Sequence, residues 1–208
     1  MEDVLEVYSR PPDPAVPLVC LDEFAKQLLS ETRTPLPCAP GRPARQDFEY
    51  VREGSVTGFM LAMPHAGCRE VFVGRDGRRT AKDFAACLDH IASVLLPDAA
   101  RIVLVLDNLN THRSASLYEA FEPAKARALC ERFEFHYTPK HGSWLNMAEI
   151  EIGLLARTCL ERRIGSTGEF RSQVAAYIEW KNANPKPINW QFTSEQARVK
   201  LKSLYPSV

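Results

Sequence analysis

The sequence predicts an α/β domain whose central sheet mixes antiparallel and parallel strands. Three observations carry this expectation. Arg101 to Asp107, RIVLVLD, is an unbroken run of β-branched and leucine side chains, the pattern of a strand covered on both faces. Val56 to Met63 and Arg69 to Val73 are strand-like runs on either side of the turn-forming Pro64-His65-Ala66-Gly67, and together they read as an antiparallel hairpin. Segments with helical spacing lie between and after these strands, so the two element types alternate along the chain.

Taken in order, residues 1 to 16 close in Pro11, Pro12 and Pro14 and are expected to form an extended lead-in with little structure of its own. Pro17 to Asp22, PLVCLD, reads as a short buried strand ending in a carboxylate. Residues 34 to 50 are rich in Pro and Arg and form the longest expected loop. After the hairpin, Thr80 to Leu96 places Phe84, Leu88, Ile91 and Leu95 on one helical face. Ser116 to Arg132 is expected to be helical with a break at Pro123, whose ring cannot continue the hydrogen-bond ladder, and Phe133 to Tyr137 returns as a strand. Leu145 to Arg163 and Gly168 to Asn182 predict two more helices. The tail carries Trp190, Phe192, Leu201, Leu204 and Tyr205, too apolar for a free end, and is expected to pack back on the domain. The expected organisation is a lead-in over 1–16, one domain over 17–165, and a C-terminal helical extension over 166–208 packed on it.

With 208 residues, 45% hydrophobic and 25% charged, the chain can bury one sizeable core. No stretch reaches the ~18 uncharged apolar residues that a membrane span needs. Met1-Glu2-Asp3 opens on acids rather than a basic signal region, so a cytoplasmic protein is expected. Cys20, Cys38, Cys68, Cys87, Cys130 and Cys159 are scattered without a C-x-x-C pair and read as reduced thiols, and the histidines are dispersed, which argues against a His/Cys metal site. A net charge of zero counts against a broadly basic DNA-binding face. From Lys140 onward, however, ten Lys/Arg stand against six Asp/Glu, a net +4 balanced by the first 139 residues. That asymmetry suits a domain gripping DNA with its C-terminal half, although solvated surface gives the same pattern.

Three carboxylates stand where chemistry would need them. Asp107 follows the central strand directly, and ligands of α/β sheets collect at the carboxyl ends of strands; the alternative is an Asp that caps the following turn. Asp22 ends the first apolar run with Glu23 beside it, and since successive strand residues face opposite ways, only one of the two can look toward a shared site. Taken alone, Asp22 also reads as an ordinary strand-to-loop acid. In the helix after His141-Gly142-Ser143-Trp144, the residues Leu145, Ile152, Ala156 and Cys159 define an inward stripe. Glu149 lies roughly 50° from its centre and Glu151 roughly 110°, which makes Glu149 the inward candidate, against the alternative of a surface glutamate favoured by the helix dipole. Three acids from separate elements at one edge are what a site for two divalent cations requires, because hard cations take oxygen ligands and clamp the attacking and leaving oxygens of a phosphoryl displacement.

The segments VCLDE (19–23), VLDNLNTH (105–112) and HYTPKHGSWLNMAEIE (136–151) resemble the catalytic blocks of transposases of the insertion-sequence-630 family, bacterial relatives of the mariner elements. The resemblance continues through SLYEAF, EWKN and QFTSEQARVKLKSLYP, over almost the whole chain. It implies a ribonuclease-H-like (retroviral integrase-like) fold, a mixed five-stranded sheet flanked by helices. It implies Asp22, Asp107 and Glu149 as the catalytic, metal-holding acids, for two Mg²⁺ ions with Mn²⁺ as a substitute. The 41 residues between the last two acids exceed the spacing typical of mariner relatives. The implied reaction is hydrolysis of a phosphodiester in double-stranded DNA at the element's ends, then attack of the freed 3′-hydroxyl on target DNA, usually at TA, without a covalent protein–DNA intermediate.

His112 resembles the family's His after the second acid; orienting a ligand or phosphate and a purely structural imidazole are both open for it. Asn108, Asn110 and Asn146 are candidates to brace the site, and Lys140, His141 and Trp144 to touch DNA, with Trp144 more readily a packing anchor. Helix-turn-helix modules normally precede this catalytic domain, so a helix-turn-helix polypeptide or a missing N-terminal region is expected as partner, together with a homodimer. The competing expectations are a catalytically silent remnant or interaction module, and a structure-selective nuclease on the same fold.

Overall fold

A computed structural model of the chain describes residues 1–140 and 142–205, the side chain of Leu204 excepted. His141 and the expected packing of Leu204 therefore lie outside the described residues. Five strands build one sheet: β1 (Leu18–Glu31), β2 (Tyr50–Met63), β3 (Cys68–Phe72), β4 (Ile102–Leu106) and β5 (Phe133–Tyr137), in the order β3-β2-β1-β4-β5. β1 with β2 and β2 with β3 are antiparallel, whereas β1 with β4 and β4 with β5 are parallel. This is the mixed, ribonuclease-H-like sheet that the sequence pattern and the family resemblance imply. β4, IVLVL, is buried at every position and sits between β1 and β5, as a doubly covered strand must.

Alternate residues of the central strands feed two cores. Leu18, Cys20, Val103 and Val105 enter the core on one face, and Val19, Leu21, Leu104 and Leu106 the core on the other. Helix α1 (Glu2–Ser9), α5 (Met147–Thr158) and α6 (Thr167–Asn182) pack on the first face; α2 (Ala81–His90), α3 (Ala115–Ala120) and α4 (Pro123–Arg132) pack on the second. Thr80 and Asp83 close a capping box at the start of α2, which runs on through one wide turn, Ile91–Leu95. Pro123 divides α3 from α4 where expected.

Three expectations about elements need correction. The lead-in is not extended throughout: α1 buries Val4, Leu5, Val7 and Tyr8, and the prolines govern only the segment between α1 and β1. The first strand does not end at Asp22 but runs nine residues further, to Glu31. It can do so because β2 is equally long and pairs with it as far as Glu31↔Tyr50, so the backbone of a polar, half-exposed ribbon is satisfied without core burial. The helix expected from Leu145 to Arg163 spans only Met147–Thr158, because Ser143–Leu145 forms a separate tight turn.

In the tail, Trp190, Phe192 and Leu201 lie against the first core, and a further helix, α7 (Ser194–Lys200), begins with a Thr193/Gln196 capping box. The tail also closes over the β2–β3 turn, where Gly67 has a φ of +66° and a Cβ would meet the backbone of Lys186 at 2.4 Å. Among the described residues no helix is long and apolar enough to cross a membrane, and all six cysteines are free.

Candidate functional site

The parallel ladder between β1 and β4 runs from Leu18↔Val103 to Cys20↔Val105. Carried two residues further, that register sets Asp22 beside Asp107, just past the point where the two strands stop pairing. Alternation aims both toward the face that carries α5, the face of Cys20 and Val105. Asn146, the N-cap of α5, is 1% exposed; its Nδ2 donates to the Leu21 carbonyl at 2.7 Å and to Asp22 Oδ2 at 3.4 Å, while its Oδ1 accepts from the Ala148 N–H at 3.1 Å. The start of α5 is thereby fastened to β1 next to Asp22. Glu149, in the first turn of that helix, comes into the same electrostatic neighbourhood.

The crowding registers on Asp22. Burial is the main influence raising its carboxyl, and the negative charges of Asp107 and Glu149 add to it, so the group is pushed up to about 6 although the Glu23 N–H donates to Oδ1 at 2.8 Å. No salt bridge to Asp22 or Glu149 occurs among the described residues. Nor do three His, Cys, Asp or Glu side chains stand close enough together to hold one ion as they are placed, among the described residues. The three acids are neighbours, not a preformed cage. Part of the reason is Asp107, whose Oδ1 is drawn to the imidazole of His112. In kind the donors suit a hard divalent cation: they are carboxylate oxygens, two of the three without an ionic partner, and their mutual repulsion is what such an ion relieves.

His112 is wholly buried between two carboxylates. Nδ1 bonds Asp107 Oδ1 and Nε2 bonds Glu23 Oε1 at 3.0 Å. A neutral ring donates from one nitrogen only, so bonding two ionised carboxylates at once requires the protonated ring. Burial opposes the charged ring, but the two hydrogen bonds outweigh it and raise the imidazole to about 9. Phe84 lies against the ring with centroids 4.7 Å apart, and Tyr137 Oη donates to the His112 carbonyl at 3.0 Å. From the sequence, Glu23 reads only as the neighbour that cannot share Asp22's direction. Its alternation to the other face is the one signal there of a separate role.

The third acid shows a phase error. Glu151, expected to turn away, is 4% exposed and pairs with the equally buried Arg69 at 3.0 Å, whereas Glu149 is only half-buried. Because α5 starts at Met147, its buried stripe is Met147, Ala148, Glu151 and Leu155; Ala156 is exposed and Leu145 belongs to the preceding turn. Glu149 sits at the border of that stripe.

An open cleft of about 580 Å³ adjoins Asp107, lined by Asn108, Leu109, Thr138, Pro139, Lys140 and Ser143. Asn108 and Lys140 are exposed in it. Asn110 is not brought to the acids; its Oδ1 accepts from Arg113 at 3.4 Å. Trp144 is 43% exposed and meets Phe192 of the tail edge-on, with centroids 5.9 Å apart, so it is a packing contact that also shows a face to solvent.

A sequence profile described as DDE superfamily endonuclease matches residues 17–171. Among solved structures, the Mos1 strand transfer complex superposes with a TM-score of 0.55 at 15% identity, covering 85% of this chain and 50% of that one. The Mos1 transposase paired-end complex with left transposon end gives 0.56 at 14%, covering 86% and 53%. The Mos1 mariner paired end complex with Mn gives 0.54 at 14%, covering 85% and 52%. At such identities the likeness is one of fold, and the chain spans about half the length of the Mos1 chains it matches. No curated protein sequence matches it.

Proposed function

This chain belongs to the DDE superfamily endonuclease family, and on that footing we propose that it is the catalytic domain of a transposase of the insertion-sequence-630 type, acting on DNA in a bacterial cytoplasm. It hydrolyses a phosphodiester at the end of a mobile element and joins the freed 3′-hydroxyl to target DNA at a TA dinucleotide. The observation that supports this is the register that sets Asp22 of β1 beside Asp107 at the end of β4, with Asn146, three residues before Glu149 at the start of α5, bonded to Asp22. We place the catalytic unit in residues 17–165, with 166–208 as a helical extension whose Phe170, Val174 and Ile178 share its first core.

The three acids would hold two Mg²⁺ ions, with Mn²⁺ able to substitute. When bound, such ions polarise phosphoryl oxygens and activate a water or hydroxyl as nucleophile. The chain's own residues supply position and charge. Asn146 fixes Asp22 and the first turn of α5 relative to each other. The cleft beside Asp107 receives the DNA backbone, with Lys140 as its phosphate contact and Asn108 as a neutral donor. Choice of DNA ends falls to a helix-turn-helix unit, in the same or another polypeptide, and pairing of ends to a second copy of this domain; the chain's zero net charge suits that division of labour.

The test is cleavage and joining of an oligonucleotide carrying element ends, in Mg²⁺ or Mn²⁺ and with chelator. We expect activity that chelation removes and that Asp107→Asn abolishes while the fold persists. Cutting that survives Asp107→Asn would refute the assignment.

A further inference from the structure

We infer that Glu23 is a positioning residue, which acts through His112 to hold the Asp107 carboxylate in the orientation from which it binds a cation. This rests on the function proposed above and extends it to a residue on the opposite face of β1. The geometry is continuous. Glu23 Oε1 takes one ring nitrogen of His112 at 3.0 Å, and the other ring nitrogen takes Asp107 Oδ1. That engages one oxygen of Asp107 from behind, and no hydrogen bond to Oδ2 occurs among the described residues.

The ring between the two acids has little freedom. It is wholly buried, lies against Phe84 of α2, and its own carbonyl is held by Tyr137 of β5. Elements on both sides of β4 thus fix one imidazole, and the imidazole fixes one carboxylate. The Glu23 side chain is itself only 6% exposed, and among the described residues its Oε2 has no hydrogen-bond partner, with Arg79 Nη1 at 3.8 Å from it. A buried carboxylate kept with one oxygen unsatisfied is costly, and a hydrophobic residue would fill that face of the strand more cheaply. The pattern matches the general rule that a ligating group is oriented by a partner behind it, whose loss weakens metal affinity.

The experiment measures Mn²⁺ binding by the full chain, by calorimetry or by loss of the free-ion resonance signal, in the wild type, Glu23→Gln and Glu23→Asp. It also records the ¹⁵N shifts of the His112 ring in each. Glu23→Gln keeps the shape and removes the charge; Glu23→Asp keeps the charge and draws it back from the ring. Both should weaken Mn²⁺ binding by about 10-fold or more, the range in which such supporting residues act, and move the His112 Nε2 resonance, with thermal unfolding close to that of the wild type. A role confined to net charge would leave Glu23→Asp unaffected. Wild-type affinity in both variants overturns the inference, whatever the ring signals do, and leaves the proposed function standing. Absence of Mn²⁺ binding by the wild type overturns the proposed function and this inference with it.

Discussion

Asp22 occupies a place where a carboxylate is costly to ionise. Its group titrates near 6 rather than at the ordinary 3.8, through burial first and the charges of Asp107 and Glu149 second. Since the native state binds the proton more tightly than the unfolded chain, stability is highest below the unfolded value and is lost as pH rises through the folded one. That rise corresponds to at most about 3 kcal/mol, and partial exposure reduces it to about 1–2 kcal/mol. Asp22→Asn is therefore expected to stabilise the metal-free protein by about that amount above about pH 7 and to have little effect near about pH 4. Denaturant unfolding at both pH values, with chelator, checks it; destabilisation at both would show that Asp22 is held by contacts instead of strained by charge. That only one of Asp22 and Glu23 can face a shared site is legible from strand alternation, but not which one, because Leu18 to Leu21 are apolar on both faces. The helical phase that selects Glu149 wrongly includes Leu145 and so passes over the more buried Glu151. The burial of Glu151 depends on Arg69, a residue of β3 far away in the chain, which no reading of one helix could supply.

Elements with long, uniform patterns are legible in the sequence and those stabilised from outside are not. β4 and β5 follow from their own side chains, and the break at Pro123 from one ring. Helix α1 is short, below the length at which an isolated helix holds, and exists through what it touches. Tyr8 Oη donates to the Leu145 carbonyl at 2.6 Å, its ring meets Trp190 with centroids 5.1 Å apart, and Glu2 pairs with Arg198 of α7 at 2.6 Å. The capping sequence Thr193-Ser194-Glu195-Gln196 is the available sign of α7. The Leu145 carbonyl lies one residue before the cap of α5, so α1 and the tail brace the turn that delivers Asn146 and Glu149. Tyr8→Phe leaves a buried carbonyl unpaired and is expected to cost about 1–2 kcal/mol in denaturant unfolding. It should also slow DNA cleavage, through a displaced α5, more than an equally destabilising change in the distant core around Leu88. Equal losses of rate in the two variants would mean that α1 supports the fold but not the site.

Across the molecule, zero net charge and a cluster of acids at the edge proposed to meet DNA predict the sign of an electrostatic response. Ordinary protein–DNA contacts weaken when a divalent cation is added, because the cation competes for phosphates, and each phosphate contact contributes about −0.9 to the log–log salt slope. If DNA lies in the cleft as proposed, Asp22, Asp107 and Glu149 would repel the phosphates that Lys140 and the more basic C-terminal half would attract, giving two contributions of opposite sign. Without divalent cations the chain should bind duplex DNA weakly, with a Kd on the order of 10⁻⁵ M or above and a slope shallower than about −4. Asp107→Asn should bind more tightly than the wild type under those conditions, since it removes one repelling charge. Millimolar Mg²⁺ should strengthen wild-type binding, against the usual trend, and narrow its gap to the variant. Fluorescence anisotropy of a labelled duplex, with and without Mg²⁺ at constant ionic strength, separates the two cases. If Mg²⁺ weakens wild type and variant alike, the cation acts only as a screen, and the acids at the end of β4 are not where it meets the DNA.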